Sequence, residues 1–171
     1  MRDADAAEVL TEQQEAAVRA LAAQASSRVG REREPLRTFL QRMSGGRLGR
    51  QRGWRTVPDL GTPWQDHGCV ERNGWRTRSA YFDGEIAFAV DYRVCRRCGL
   101  GWVEQPYTLP RYQRNGLARA ALHALRQEHP AVSWHTLGGH LSESRPFWEN
   151  VGRDVRGNYQ QRSLCQHITA G

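Results

Sequence analysis

No run of about 18 apolar residues occurs anywhere in this 171-residue chain, so nothing in it reads as a membrane-spanning helix. The first residues, MRDADAAEVLTEQQEA, are acidic and lack an apolar segment, which excludes a signal peptide or transit peptide reading and leaves a cytoplasmic protein as the expectation. Cysteine is scarce, at four residues, too few for a disulfide-built scaffold of this length. Lysine is missing altogether: all 25 basic residues are arginine, against 18 acidic ones, for a net charge of +7. A basic surface suits nucleic acid or an acidic protein segment, but exclusive use of arginine also follows from genomic base composition, which weakens that inference. What is present is enough for one ordinary core. The chain is 39% hydrophobic with six tryptophans, while a mean hydropathy of -0.74 points to a solvated fraction, concentrated in the first third.

Residues 6–29 carry Val9, Leu10, Ala17, Val18 and Leu21 at helical spacing, and PLRTFLQRM from Pro35 places Leu36, Phe39, Leu40 and Met43 on one stripe. Two helices are expected there. Residues 44–68 are rich in Gly, Pro and Arg and read as a linker containing one short strand. The character then changes. WRTRSAYFDGEIAFAVDYRVC alternates around Asp83-Gly84, a hairpin signal, and LGWVEQPYT is a further strand. LARAALHALRQEH then reads as a helix, AVSWHTL as a strand, SRPFWENV as a helix and YQQRSLCQHI as a last strand. No internal repeat is visible. The mixed order predicts an α/β or α+β fold, with residues 1–60 as amino-terminal helices and linker and 61–171 as the main domain.

The junction at Arg111–Gln127, RYQRNGLARAALHALRQ, sets a basic turn directly before a helix. Gly116 permits close backbone approach, Ala118 is small, and the first amides of the helix have no partner within it, so the turn is suited to an anion such as pyrophosphate. Arg111 and Arg114 add charge of the right sign.

QRNGLA resembles the acetyl-CoA signature of the GNAT acetyltransferase family: Gln or Arg, two residues, Gly, one residue, then Gly or Ala. LSESRPFWENVG is similar to the family's second motif, with Ser144, Trp148 and Gly152 four residues apart. The resemblance covers about Arg76 to the end of the chain. It implies a GNAT-like fold, a central mixed and mostly antiparallel sheet flanked by helices with an amino-terminal helical segment. By the same resemblance the backbone of Gln113, Arg114, Asn115, Gly116, Leu117 and Ala118 holds the CoA pyrophosphate with help from Arg111. Glu104 to Pro106, including Gln105, faces the pantetheine arm, and Ser144 and Trp148 lie close to it. Family members generally transfer acetyl directly to an amine with a base, often a strand glutamate, and an acid that reprotonates the thiolate. Glu104 is then the candidate base and His140 a second one. Trp148 stands where many members place a tyrosine acid, and indole cannot supply that proton, which leaves Tyr159, a water or the substrate to deliver it, or a protein that binds CoA without efficient transfer.

Cys95-Arg96-Arg97-Cys98-Gly99 has the spacing of a zinc knuckle, because two intervening residues let both thiolates reach one tetrahedral ion. His67 and Cys69 are the expected partners, giving a Cys3His structural zinc site, with Cys165 or His167 as substitutes for the fourth ligand. Most of the family lacks such a site.

The leading expectation is therefore an acetyl-CoA-dependent N-acetyltransferase acting on a primary amine, with structural zinc. A zinc-containing nucleic-acid-binding module is the alternative from another class, based on the knuckle, the charge, and Trp54, Trp64 and Trp75 beside arginines. A GNAT-like protein without catalysis, working through partners, is the third. The sequence does not select the acceptor.

Overall fold

The computed structural model describes residues 10–32, 59–69 and 72–169. The helix expected over residues 35–43, most of the linker and Trp54 lie outside them.

Helix α1 (Glu12–Ala23) begins at Thr11, whose hydroxyl accepts from the Gln14 amide at 3.3 Å while the Gln14 side chain accepts from the Thr11 amide at 2.9 Å. This reciprocal cap fixes the helix start later than the apolar pattern alone suggests. The remaining elements are β1 (Val29–Arg31), β2 (Trp64–Gly68), β3 (Arg76–Phe82), β4 (Glu85–Cys95), β5 (Leu100–Thr108), a 3-10 turn at Pro110–Tyr112, α2 (Leu117–Glu128), β6 (Ser133–Thr136), α3 (Arg145–Gly152) and the single-turn α4 (Gln166–Thr169). The six strands form one sheet in chain order, with β2 to β5 antiparallel and parallel pairs at its two edges, β1 with β2 and β5 with β6. This is an α+β fold with a mixed, mainly antiparallel sheet flanked by helices. Asp83 and Gly84 close the β3–β4 hairpin with φ of 55° and 81°, the left-handed pair that a tight hairpin of the right twist requires.

Alternation along the strands sends side chains to two apolar layers. On one face α1 and α2 lay Val18, Leu21, Leu117, Leu122 and Leu125 against Trp64, Phe88, Val90 and Val103. On the other, a smaller cluster gathers Cys69, Trp75, Cys95, Trp102 and Ile168. α1 therefore belongs to the main core. The Trp64 indole also donates to the Leu21 carbonyl at 2.8 Å, tying the end of α1 to β2.

Polar links cross the sheet beneath α2. Asp66 on β2 accepts from Arg78 on β3 at 2.6 and 2.9 Å, from Arg76, and from the Tyr92 hydroxyl on β4 at 2.7 Å. Arg78 is fully buried and reaches on to Glu128 at the end of α2 at 2.8 Å, where Arg31 of β1 also pairs at 2.6 Å. Burial alone would raise the Asp66 carboxyl; Arg78 and Arg76, with hydrogen bonds from Tyr92 and Arg78, outweigh it and hold the group below the usual carboxylate range.

The strand expected over residues 159–168 does not form. Gly157, Asn158 and Tyr159 take left-handed φ of 89°, 50° and 53°, which turns the chain away from extended geometry. Only an isolated bridge between Thr136 and Gln161 survives, and residues 166–169 coil into α4.

Candidate functional site

The site is made by two parallel strands that part. β5 and β6 pair from Leu100 with Ser133 to Val103 with Thr136, after which β6 ends and β5 continues to Thr108. The β4–β5 register shifts in the same place: Ala89 faces Tyr107 and Asp91 faces Glu104, so Gln105 and Pro106 together oppose the single residue Val90. Such a bulge bends a strand, and Pro106 has no amide to offer a neighbour. The opening holds a cavity of about 1030 Å³, bounded by Val103, Glu104, Pro106 and Thr108 on the β5 side and by Thr136 and Gly138 to Leu141 on the other.

At one end of the cavity lies the turn before α2. Gly116 is the helix-capping residue with φ of 85°, and Arg114 two residues earlier has φ of 64°. Left-handed residues in a turn are the geometry in which successive backbone amides converge on an anion. The first amide of α2 that finds a carbonyl in its own helix is that of Ala120, bonded to Gly116 at 2.9 Å, so the amides ahead of it have no partner within α2. A Cβ built on Gly116 meets no atom within 4 Å, and Gly116 itself lines the cavity, so its bare backbone faces open space and not a packed neighbour. Asn115 braces the turn through its side-chain amide, which donates to the Gln113 carbonyl at 3.1 Å.

Glu104 stands at the fork. Its carboxylate accepts from the Leu137 amide at 3.0 Å, just past the end of β6, and lies 3.5 Å from the Arg72 guanidinium. It is largely shielded but lines the cavity. Opposite, the His140 ring stacks on Trp148 at 4.8 Å with an interplanar angle of 12°, and its Nε2 is 3.4 Å from the Thr136 hydroxyl. Trp148 is also wedged against Phe147 and Tyr159, so it serves as wall and as packing. Ser144 caps α3 and lines the same cavity.

The fold thus gathers Glu104, His140, Gln113, Arg114, Gly116, Leu117, Ala118, Ser144 and Trp148 around one cavity. Nothing is described of the Gln105 side chain. Two expected participants face elsewhere. Arg111 pairs with Glu85 and lies over the Tyr112 ring, while Tyr159 is fully buried with its hydroxyl bound by Arg126 at 2.8 Å. Burial pushes the Tyr159 phenol above its ordinary value despite Arg126, which makes it a poorer acid. The sequence reading missed Arg119, which follows the turn by one helical position and supplies the wall with the charge expected of Arg111. It also missed Gly138-Gly139, a pair just past the end of β6 that lines the cavity, with nothing within 4 Å of a Cβ built on Gly138.

The group of residues that could hold a metal ion differs from the set expected. Cys95 and Cys98 are joined by Cys165 and His167, with one ligand atom from each lying within 4.8 Å of all the others. His67 Nδ1 contacts the Gly68 carbonyl, and Cys69 contacts Asp91, so neither turns to the knuckle. Both substitutes, and not one, come from the tail because its left-handed turn carries α4 back to the β4–β5 hairpin.

No protein-family model matches the chain, and no curated protein matches it. Among solved structures, a Trypanosoma brucei acetyltransferase is similar at 20% identity and a TM-score of 0.40, over 54% of this chain and 69% of that one. An aminoglycoside acetyltransferase from an uncultured soil metagenomic sample, in complex with sisomicin, is similar at 11% identity and a TM-score of 0.40, over 76% and 82% of the two chains. The same enzyme in complex with trehalose gives 10% identity and a TM-score of 0.38 over 75% and 82%.

Proposed function

We propose that this protein is an acetyl-CoA-dependent N-acetyltransferase whose acceptor is a primary amine. The observation that carries the reading is the continuity of the cavity from the parting of β5 and β6, at Glu104, to the bare Gly116 turn. An extended thioester cofactor needs such a combination: amides and a helix amino terminus for a pyrophosphate, strand edges for a polyamide arm, and a carboxylate near the reacting end. The backbone of Gln113 to Ala118, with Arg114 and Arg119, would hold the pyrophosphate. Thr108 to Val103 on one side and Thr136 to Gly139 on the other would flank the arm.

In this reading Glu104 accepts, directly or through one water, the proton that the amine sheds as its nitrogen bonds the acetyl carbon and the carbon–sulfur bond opens. The Leu137 amide keeps that carboxylate aimed across the fork. Trp148 cannot return a proton to the departing sulfur and Tyr159 is turned away, so His140, stacked on the Trp148 face beside the cavity, is the candidate we assign to that step. The zinc inferred from the knuckle takes no part in the transfer, since none of the four clustered ligands borders the cavity.

Against the nucleic-acid reading, Trp64 and Trp75 are buried, and Arg76 and Arg78 are bound to Asp66. The test is incubation of the protein with acetyl-CoA and a panel of amines covering aminoglycosides, polyamines and peptide amino termini, followed by mass spectrometry and free-thiol release. An acetylated amine with stoichiometric thiol release supports the proposal. Absence of both across a panel that the protein demonstrably binds would remove it.

A further inference from the structure

We propose that Cys95, Cys98, Cys165 and His167 bind one zinc ion, which fastens the carboxy-terminal segment to the end of the β4–β5 hairpin. The inference does not depend on acetyl transfer. It begins with geometry: the four ligand atoms already sit within 4.8 Å of one another, and Cys98 Sγ is 3.0 Å from His167 Nδ1. Tetrahedral zinc with bonds of about 2.3 Å to sulfur needs ligand separations of roughly 3.8 Å, so closure on the ion requires only side-chain adjustment.

Local chain geometry favours the same assignment. Cys95 ends β4, Cys98 lies in the following turn, and Gly99 with φ of 64° turns the chain into β5. Three thiolates around a divalent ion leave one negative charge. Arg93 lies within electrostatic reach of Cys95 and Cys165, and Arg96 and Arg97 belong to the knuckle itself. Trp75, Trp102 and Ile168 form an apolar backing behind Cys95, which limits water at the metal–sulfur bonds.

Competing chemistry uses the cluster less completely. A disulfide would join two cysteines and leave a third thiol and an imidazole beside it. A redox CxxC pair would gain from a helix amino terminus, whereas this one joins two strands. Zinc engages all four residues, and four protein ligands leave no open position, so the ion is structural. Binding releases the thiol protons to solvent, with the imidazole nitrogen ligating as the neutral base.

The consequence lies in what the tail supports. Between Tyr159 and α4 the chain runs along the outer side of β6: the Arg162 amide donates to the Thr136 carbonyl at 2.8 Å, and the Arg162 carbonyl accepts from the Trp102 indole at 2.9 Å. Thr136 is followed by Leu137, whose amide holds Glu104. Zinc at the far end of this segment therefore secures the strand that forms one wall of the cavity.

The test uses the full chain, purified under reducing conditions without a metal-binding tag. Elemental analysis is expected to find about one zinc per chain. After chelation, cobalt(II) alone is expected to produce tetrahedral d–d bands with sulfur-to-cobalt charge transfer. His67→Ala and Cys69→Ser retain the metal, whereas Cys165→Ser and His167→Ala weaken it beyond the roughly 10- to 100-fold cost of losing an outer-shell partner. Because those two variants can also loosen the tail, His167→Cys is the decisive one: it keeps cobalt and raises charge-transfer intensity by about a third, as a fourth thiolate requires. Wild-type protein that binds neither zinc nor cobalt while its thiols are reduced would overturn the assignment. So would metal binding that follows His67 and Cys69 in place of Cys165 and His167.

Discussion

Glu104 shows what single positions reveal. Its place on a strand beside Val103 is legible from alternation, but its partner is an amide 33 residues away that belongs to no motif. Glu104→Gln keeps the hydrogen bond from Leu137 and removes the proton acceptor. The expected outcome is a fall in kcat of about 10²- to 10⁴-fold with acetyl-CoA affinity nearly unchanged, measured by steady-state kinetics beside a binding isotherm. Equal kcat in the variant would remove Glu104 from the chemistry. Gly116 is the opposite case, since its place in a turn before a helix was legible at once, and φ of 85° with nothing within 4 Å of a built Cβ matches that reading. Gly116→Ala should therefore lower stability by about 1–2 kcal/mol through backbone strain alone, seen as a modest drop in Tm. Tyr159 was misjudged because its hydroxyl direction depends on Arg126, which sequence order does not place beside it.

Elements carry the next set of consequences, and the ion-pair layer beneath α2 is the clearest. RTRSA belongs to a stretch that reads as an alternating, half-solvated strand, which hides the complete burial of Arg78. Charged residues reach such positions only when paired. Asp66, Arg78, Tyr92 and Glu128 satisfy one another across β2, β3, β4 and α2. Removing one member leaves its partners buried and uncompensated, so Asp66→Ala is expected to destabilise the fold by roughly 3–5 kcal/mol in urea unfolding. The pH dependence has a definite sign. Because the folded carboxyl lies below its ordinary value of 3.8, its stabilisation is complete above that value and is lost as pH falls through the lower, folded one. Acid unfolding of the wild type should thus steepen below about pH 4, and the Asp66→Asn variant should lose that component of the slope. Strand boundaries from β3 to β5 were readable because Asp83-Gly84 and the knuckle punctuate them. The last strand failed because Asn158 and Tyr159 follow Gly157 into left-handed backbone although neither residue type announces it, and Cys165 and His167 were undervalued with it.

At the scale of the whole molecule the described residues form one sheet with helices on it, and α1 is part of that unit. Val18 and Leu21 fill the space above the sheet, and the Leu21 carbonyl is the acceptor for the buried Trp64 indole. Deleting residues 1–28 should therefore cost about 1.5–3 kcal/mol for each of the two buried aliphatic side chains, plus about 1–3 kcal/mol for the orphaned indole. Loss of a cooperative thermal transition is the expected observation, and an unchanged Tm would show that α1 is dispensable. The net charge of +7 gave little guidance, because the strand arginines it counts include two bound to Asp66. The proposed function draws on the order of the turn, strand and aromatic helix, while no residue pattern selects an acceptor, since its pocket depends on how loops distant in sequence meet.

The most direct test of the central claim is calorimetric titration of acetyl-CoA into the full chain and into Gly116→Trp, with thermal unfolding of both as a check on folding. The account predicts micromolar binding by the wild type and its loss in a folded Gly116→Trp protein, because indole would fill the space above the bare turn. No binding by folded wild type, or undiminished binding by the variant, would contradict it.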